Sequence, residues 1–212
     1  MKQLKYIFSI LSIAILLSAC NSDLAPEYQY EDNPEYTWGY QLYYGDYYGN
    51  YQVNSNVNSL VLFTDKLVTD SLGYLNGYGQ YLYLYDIFTG NSDVLLPDGT
   101  YTISDSDEPF TIRPGKYFEQ LDYVNGAFIN YVERDENKSK IKLIIDGSLV
   151  LSRSTDGKKV SITCDFITED KKQLKGRIEN YELPAYDMSR EERNQKLIGK
   201  STSRPKLNKS NF

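Results

Sequence analysis

The residues able to do chemistry fall into four groups. Tyrosine is the most abundant of them: the 212-residue chain has 21 Tyr, and nine lie between Tyr28 and Tyr51, with the single tryptophan, Trp38, among them. Tyr74, Tyr78, Tyr81, Tyr83 and Tyr85 form a second group. Aromatic faces stack on sugar rings while phenol hydroxyls hydrogen-bond, so Trp38, Tyr43, Tyr47, Tyr81, Tyr83 and Tyr85 are candidate contacts for a glycan or a protein partner. The competing role for the same residues is filling half-buried sheet faces. Asp105-Ser106-Asp107-Glu108 packs three carboxylates and a hydroxyl into four residues. Hard cations take such oxygens, which makes Asp105, Asp107 and Glu108 a weak metal candidate. The spacing is not that of an EF-hand, and a solvated connecting loop fits it better.

The third group is defined by what is missing. The chain has no histidine, which excludes a Ser-His-Asp or Cys-His nucleophile and every His-ligated metal centre. Paired carboxylates alone can hydrolyse glycosides, so a histidine-free glycosidase remains a weaker alternative, with no two acids singled out. No glycine-rich phosphate loop is present, and no cofactor is expected. The fourth group is the two cysteines, Cys20 and Cys164.

Cys20 closes a leader. Lys2 and Lys5 precede an apolar run from Ile7 to Leu17 that is too short to span a bilayer as a stable helix. Leu17-Ser18-Ala19-Cys20 resembles the bacterial lipobox, in which the cysteine is acylated and becomes the first residue of the mature protein. That resemblance implies a membrane anchored through lipid on Cys20 as a partner. Asn21, rather than Asp, follows the cysteine, and by the same resemblance this favours the outer membrane, on its periplasmic or its surface face. Acids soon after Cys20 resemble surface-export signals of Bacteroidetes lipoproteins. Asp70-Ser71-Leu72 resembles the short O-glycosylation acceptor of exported Bacteroidetes proteins, with Ser71 as the acceptor. With Cys20 acylated, Cys164 has no partner for an intrachain disulfide.

The elements that must position these groups are strands. From about Trp38 to Leu183 the chain is rich in Tyr, Val, Ile, Phe and Thr, and Gly-, Asn- and Asp-based turn signals recur at short intervals. Lys159–Thr168 alternates with period two, with Val160, Ile162, Cys164 and Phe166 on one face, which predicts a buried Cys164. Gln80–Phe88 is apolar on both faces, so it is either covered twice or exposes a tyrosine row. Asp146-Gly147 fits a two-residue hairpin or a bulge in one long strand equally well. The expected fold is all-β, a single antiparallel sandwich or barrel-like meander of about 8–10 short strands with a short C-terminal helix and a basic tail. The turn-and-strand pattern of residues 45–183 resembles a group of uncharacterised Bacteroidetes lipoproteins built from such meanders. The predicted organisation is a signal peptide over 1–19, an acidic tether over 20–36, the all-β domain over 37–187, and the helix and tail over 188–212, where Ser189-Arg190-Glu191-Glu192 reads as a capping box.

Charge is uneven. Residues 20–133 hold 17 acids against three bases, Lys66, Arg113 and Lys116, whereas residues 134–212 carry net +6. The acidic balance and the expected anchor argue against nucleic acid as a partner. Two functions are expected to compete. One is a non-catalytic binding lipoprotein for a glycan or an envelope protein. The other is a structural or envelope-assembly lipoprotein without a small ligand.

Overall fold

The computed structural model describes residues 29–70, 74–90, 94–134 and 138–190. They are mostly strand, and the chain is all-β. The strands are β1 (Trp38–Gly45), β2 (Val57–Phe63), β3 (Leu67–Thr69), β4 (Leu75–Phe88), β5 (Gly99–Ile103), β6 (Thr111–Ile112), β7 (Lys116–Phe118), β8 (Tyr123–Asn125), β9 (Ala127–Glu133), β10 (Lys138–Arg153), β11 (Val160–Thr168), β12 (Gln173–Leu174), β13 (Arg177–Tyr181) and β14 (Ala185–Asp187). One mixed sheet takes twelve of them, and β7 and β8 pair as a separate hairpin. Among the described residues no helix is long and apolar enough to cross a membrane.

Two strands are far longer than the short ones expected, β4 with 14 residues and β10 with 16. Both change partner midway. β9 lies between them along Tyr78–Leu84 of β4 and Lys138–Leu143 of β10. Further on, β6 pairs with Ile87 and Phe88 of β4, and β5 pairs with Ser148–Leu151 of β10. β5 and β6 are bonded to each other in parallel, so one intervening strand gives way to two and the sheet forks. Each long strand carries a register shift at this level. In β4, Leu60 of β2 faces Leu84 while Asn58 faces Ile87. In β10 the shift falls between Ile144 and Asp146. Asp146-Gly147 is therefore no hairpin: one continuous strand runs through it, with the bulge at Ile145-Asp146. Gly147, next after the bulge, sits at φ 110°, and a Cβ there would stand 2.2 Å from the Asp165 carbonyl oxygen, so that position requires glycine.

The sheet buries both faces of its centre. Leu60, Leu62, Leu82, Leu84, Leu149, Leu151, Ile162, Phe166 and Ile178 form the larger core, with Cys164 buried among them as the period-two pattern predicts. Burial pushes the Cys164 thiol up to about 12. On the opposite face Val61, Phe63, Tyr81, Tyr83, Tyr85, Phe128 and Val132 form a second, aromatic core. β4 is thus covered on both sides.

The folded region begins earlier than the boundary at 37 expected from sequence. Tyr36 is buried in the larger core, and the backbone of residues 32–36 pairs with that of 175–177 through Lys175 N–H to Asp32 O (2.7 Å), Arg177 N–H to Pro34 O (3.1 Å) and Tyr36 N–H to Arg177 O (2.8 Å). Glu31 is clamped by the Gln80 side chain, which accepts from its N–H at 2.7 Å and donates to its carbonyl at 3.1 Å. The same stretch leads into β1, which pairs with β14 in parallel, so the entering and departing segments of the fold run side by side. The described chain ends at Arg190; the expected C-terminal helix and basic tail lie, from residue 191 on, outside the described residues.

Candidate functional site

The fork creates a cleft. The segment leaving β6, Arg113-Pro114-Gly115, crosses the start of β9, held by Ala127 N–H to Arg113 O (3.0 Å) and Gly115 N–H to Ile144 O (2.7 Å). The crossing is so close that a Cβ on Gly126, which is at φ 77°, would lie 2.1 Å from the Pro114 carbonyl oxygen. Above it opens a cleft of about 520 Å3 lined by Tyr48, Asp86, Asp105, Arg113, Pro114, Gly115, Lys116, Phe118 and Asn125.

The β4 bulge puts Asp86 there. Under unbroken alternation Asp86 would follow Leu82 and Leu84 into the apolar core. With Tyr85 and Asp86 both opposite Ser59, Ile87 takes the core position and Asp86 faces the cleft. Its residue is 1% exposed, so the carboxylate sits at the base, and the Tyr48 hydroxyl donates to its Oδ2 at 3.0 Å. A buried carboxylate needs such donors.

One wall is Tyr48 from the β1–β2 connection, backed by a run of further tyrosines. Tyr48 lies 6.3 Å from Phe88, 4.8 Å edge-on from Tyr47 and 6.4 Å from Tyr51, and Tyr47 is 6.1 Å from Tyr44. The other wall is the β7–β8 hairpin, whose Phe118 is exposed with the Lys116 ammonium 5.4 Å from its ring centroid. At the fork the Arg113 guanidinium lies 5.3 Å from the Phe88 ring and is ion-paired with Asp107. Two acids, Asp86 and Asp105, and two bases, Arg113 and Lys116, line the cleft, with Arg113 already paired to Asp107. Ring surface beside a few polar groups suits a hydroxyl-rich ligand.

Of the residues expected from sequence, Asp105 lies in the lining, while Tyr47 packs edge-on against Tyr48 without lining the cleft. Tyr43 is half-buried in β1, where its carbonyl accepts the Met188 N–H at 2.8 Å. Trp38 stacks on Phe63 at 3.9 Å and donates its indole N–H to Leu67 O at 2.7 Å, a packing role. Tyr81, Tyr83 and Tyr85 do not form an open row. All three are buried, Tyr83 stacks on Tyr85 at 4.1 Å, and burial raises the Tyr81 phenol to about 12. They therefore drop out as ligand contacts, because the aromatic core covers them. Asp105, Asp107 and Glu108 do not converge. Asp107 is committed to Arg113, the Glu108 N–H is turned onto Ser106 Oγ at 3.1 Å, and among the described residues no three acidic or thiol groups come together to hold a metal. Cys20 and Ser71 lie outside the described residues.

Sequence reasoning missed Asp86, Tyr48, Arg113, Lys116 and Phe118. One signal was available: Asp86 is the single charge in the apolar run 80–88, and Arg113 and Lys116 are two of only three bases in residues 20–133. In comparisons with known proteins, no protein-family model, no curated protein and no solved structure matches this chain.

Proposed function

We propose that the protein is a lipid-anchored envelope lipoprotein, held through Cys20 at the outer membrane, whose domain is a non-catalytic binding module for a glycan. The observation that carries the ligand reading is Asp86, a buried carboxylate presented by a bulge and held by the Tyr48 hydroxyl, at the base of an open cleft walled by the half-buried Tyr48 and the exposed Phe118. A carboxylate orients sugar hydroxyls, while Phe118 and Tyr48 offer apolar ring surface to the sugar's C–H face. The lipobox supports the anchor, and acylation with two or three chains makes release negligible.

For the architecture we propose a closed, barrel-like sheet rather than a sandwich. The pairing of residues 32–36 with 175–177, together with β1 and β14, supports closure, because it joins the two ends of the strand path.

The test is a glycan array probed with the unlipidated chain 21–212, followed by titration of any ligand found. Asp86→Asn and Phe118→Ala are each expected to weaken binding at least tenfold, or about 1.4 kcal/mol. An array with no bound glycan, or binding indifferent to both changes, would end this reading. A second reading, glycoside hydrolysis, is favoured by one observation: Asp86 and Asp105 both line the cleft. Release of reducing sugar from a bound glycan, lost in Asp86→Asn, would establish it in place of simple binding.

A further inference from the structure

The end of the sheet where the N-terminal segment enters has a face of its own. On the β3–β4 hairpin Val68 is opposite Asn76, and the Asp70 N–H bonds to Tyr74 O at 2.9 Å, so Lys66, Val68, Asp70, Tyr74, Asn76 and Tyr78 share one side, the Asp70 carboxylate accepting the Tyr74 N–H at 2.9 Å. Val68 is 53% exposed, Tyr74 66% and Tyr78 46%, and the Lys66 ammonium lies 4.7 Å from the Tyr78 ring centroid. Two tyrosines, a valine and a lysine with an apolar stem, all open to solvent, are the side chains that settle at a membrane–water boundary.

The entering chain places this face near the lipid. Tyr30 is fixed by its hydroxyl bond to Lys140 O (2.7 Å), and Glu31 by Gln80, two residues beyond Tyr78. From Cys20 to Tyr30 are ten residues. Fully extended they reach at most about 36 Å. The cleft is at the other end of β4, since Tyr78 to Asp86 is eight residues, or about 26 Å of strand.

We propose that the Lys66–Val68/Tyr74–Tyr78 face is a membrane foot: it rests on the phospholipid surface that holds the anchor and so points the cleft away from the bilayer. The foot rests on the reading of Cys20 as the lipid attachment site, and on nothing about the cleft's ligand. The tyrosines enter the headgroup zone, Val68 meets the acyl boundary, and Lys66 meets lipid phosphate.

The test uses the full chain acylated at Cys20, in vesicles of phosphatidylethanolamine with phosphatidylglycerol as the minor component. An environment-sensitive dye is attached at Asn76→Cys, within the foot, or at Leu121→Cys, on the cleft-side hairpin. Buried Cys164 stays unlabelled. In protein that floats with the vesicles, the dye at 76 is expected to be several-fold less quenched by iodide than the dye at 121, and to be quenched by headgroup-labelled lipid. Adding Tyr74→Ser with Tyr78→Ser is expected to abolish the difference while flotation persists. Equal iodide quenching at both positions in floated protein overturns the foot and leaves the anchor standing. A chain that neither floats nor carries acyl groups overturns the anchor and the foot together. Protection at 76 that occurs without vesicles and tracks dimer formation in sedimentation overturns the foot in favour of contact between two copies.

Discussion

Replacing Phe128 with alanine asks whether the outer aromatic face is a true core. Phe128 is fully buried on the side of the sheet away from the larger core, stacked on Tyr83 at 5.5 Å and 12°, with Tyr85 at 6.1 Å and Tyr81 at 6.3 Å. Truncating a buried phenylalanine costs about 3–5 kcal/mol through lost transfer energy and the cavity left behind. For a chain of this size that corresponds to a fall of roughly 6–20 °C in Tm. Val150→Ala supplies the contrast, since Val150 is 44% exposed on the same sheet and its loss should cost less than about 0.5 kcal/mol. Urea unfolding followed by tryptophan fluorescence reads both variants, because the one tryptophan, Trp38, is stacked on Phe63 beside that cluster. A Phe128→Ala cost below about 1 kcal/mol would refute the reasoning. It would mean that Tyr81, Tyr83 and Tyr85 gain little from their cover, and it would restore the tyrosine row as a contact surface.

Cys164, raised to about 12 and 6% exposed, should resist thiol reagents in the folded protein at pH 8, and Cys164→Ser should destabilise by about 1–3 kcal/mol in the same unfolding assay. The Lys142 ammonium and the Thr168 hydroxyl, bonded to Asp170, hold its carboxyl down at about 2. A depressed folded value means that this pairing supports the fold above about pH 4 and loses its contribution as pH falls toward 2, so Asp170→Asn should flatten the acid side of a stability–pH profile. The side chain is 39% exposed and solvent screens the pair, so the change should be small, and an unaltered profile would show the pair to be inert. Cys20→Ala should abolish both fatty-acid labelling and membrane association, and undiminished labelling would rule out Cys20 as the acylated residue.

Strand identity was legible where a single strand has one wet and one dry face. In β11 the buried residues Val160, Ile162, Cys164 and Phe166 follow the alternation read from sequence. The fork was not legible, because a bulge is set by where a strand changes partner, and neither partner of β4 or β10 is written in its own residues. Asp146-Gly147 illustrates the point: the same dipeptide suits a hairpin and a bulge, and only the switch from β9 to β5 decides. Residues 31–36 read as a tether because they are acidic and proline-bearing, and the strand pairing that attaches residues 32–36 runs through backbone N–H and C=O groups, which leave no side-chain pattern. The cleft escaped notice for a related reason: Tyr48, Asp86 and the 113–118 segment with Arg113 and Phe118 come from three separate stretches, and one bulge turns Asp86 toward the others.

The pairing of residues 30–45 with 175–187 has a kinetic consequence. Tyr181 and Gly39 are bonded across 142 positions, and β1 has no partner on its outer edge until β14 arrives. Contacts this distant in sequence make folding slow, because the loop must close before the contact rewards it. The first of the described strands to emerge during synthesis is therefore among the last to be completed, and until β14 arrives β1 carries an unpaired edge open to mispairing with another chain.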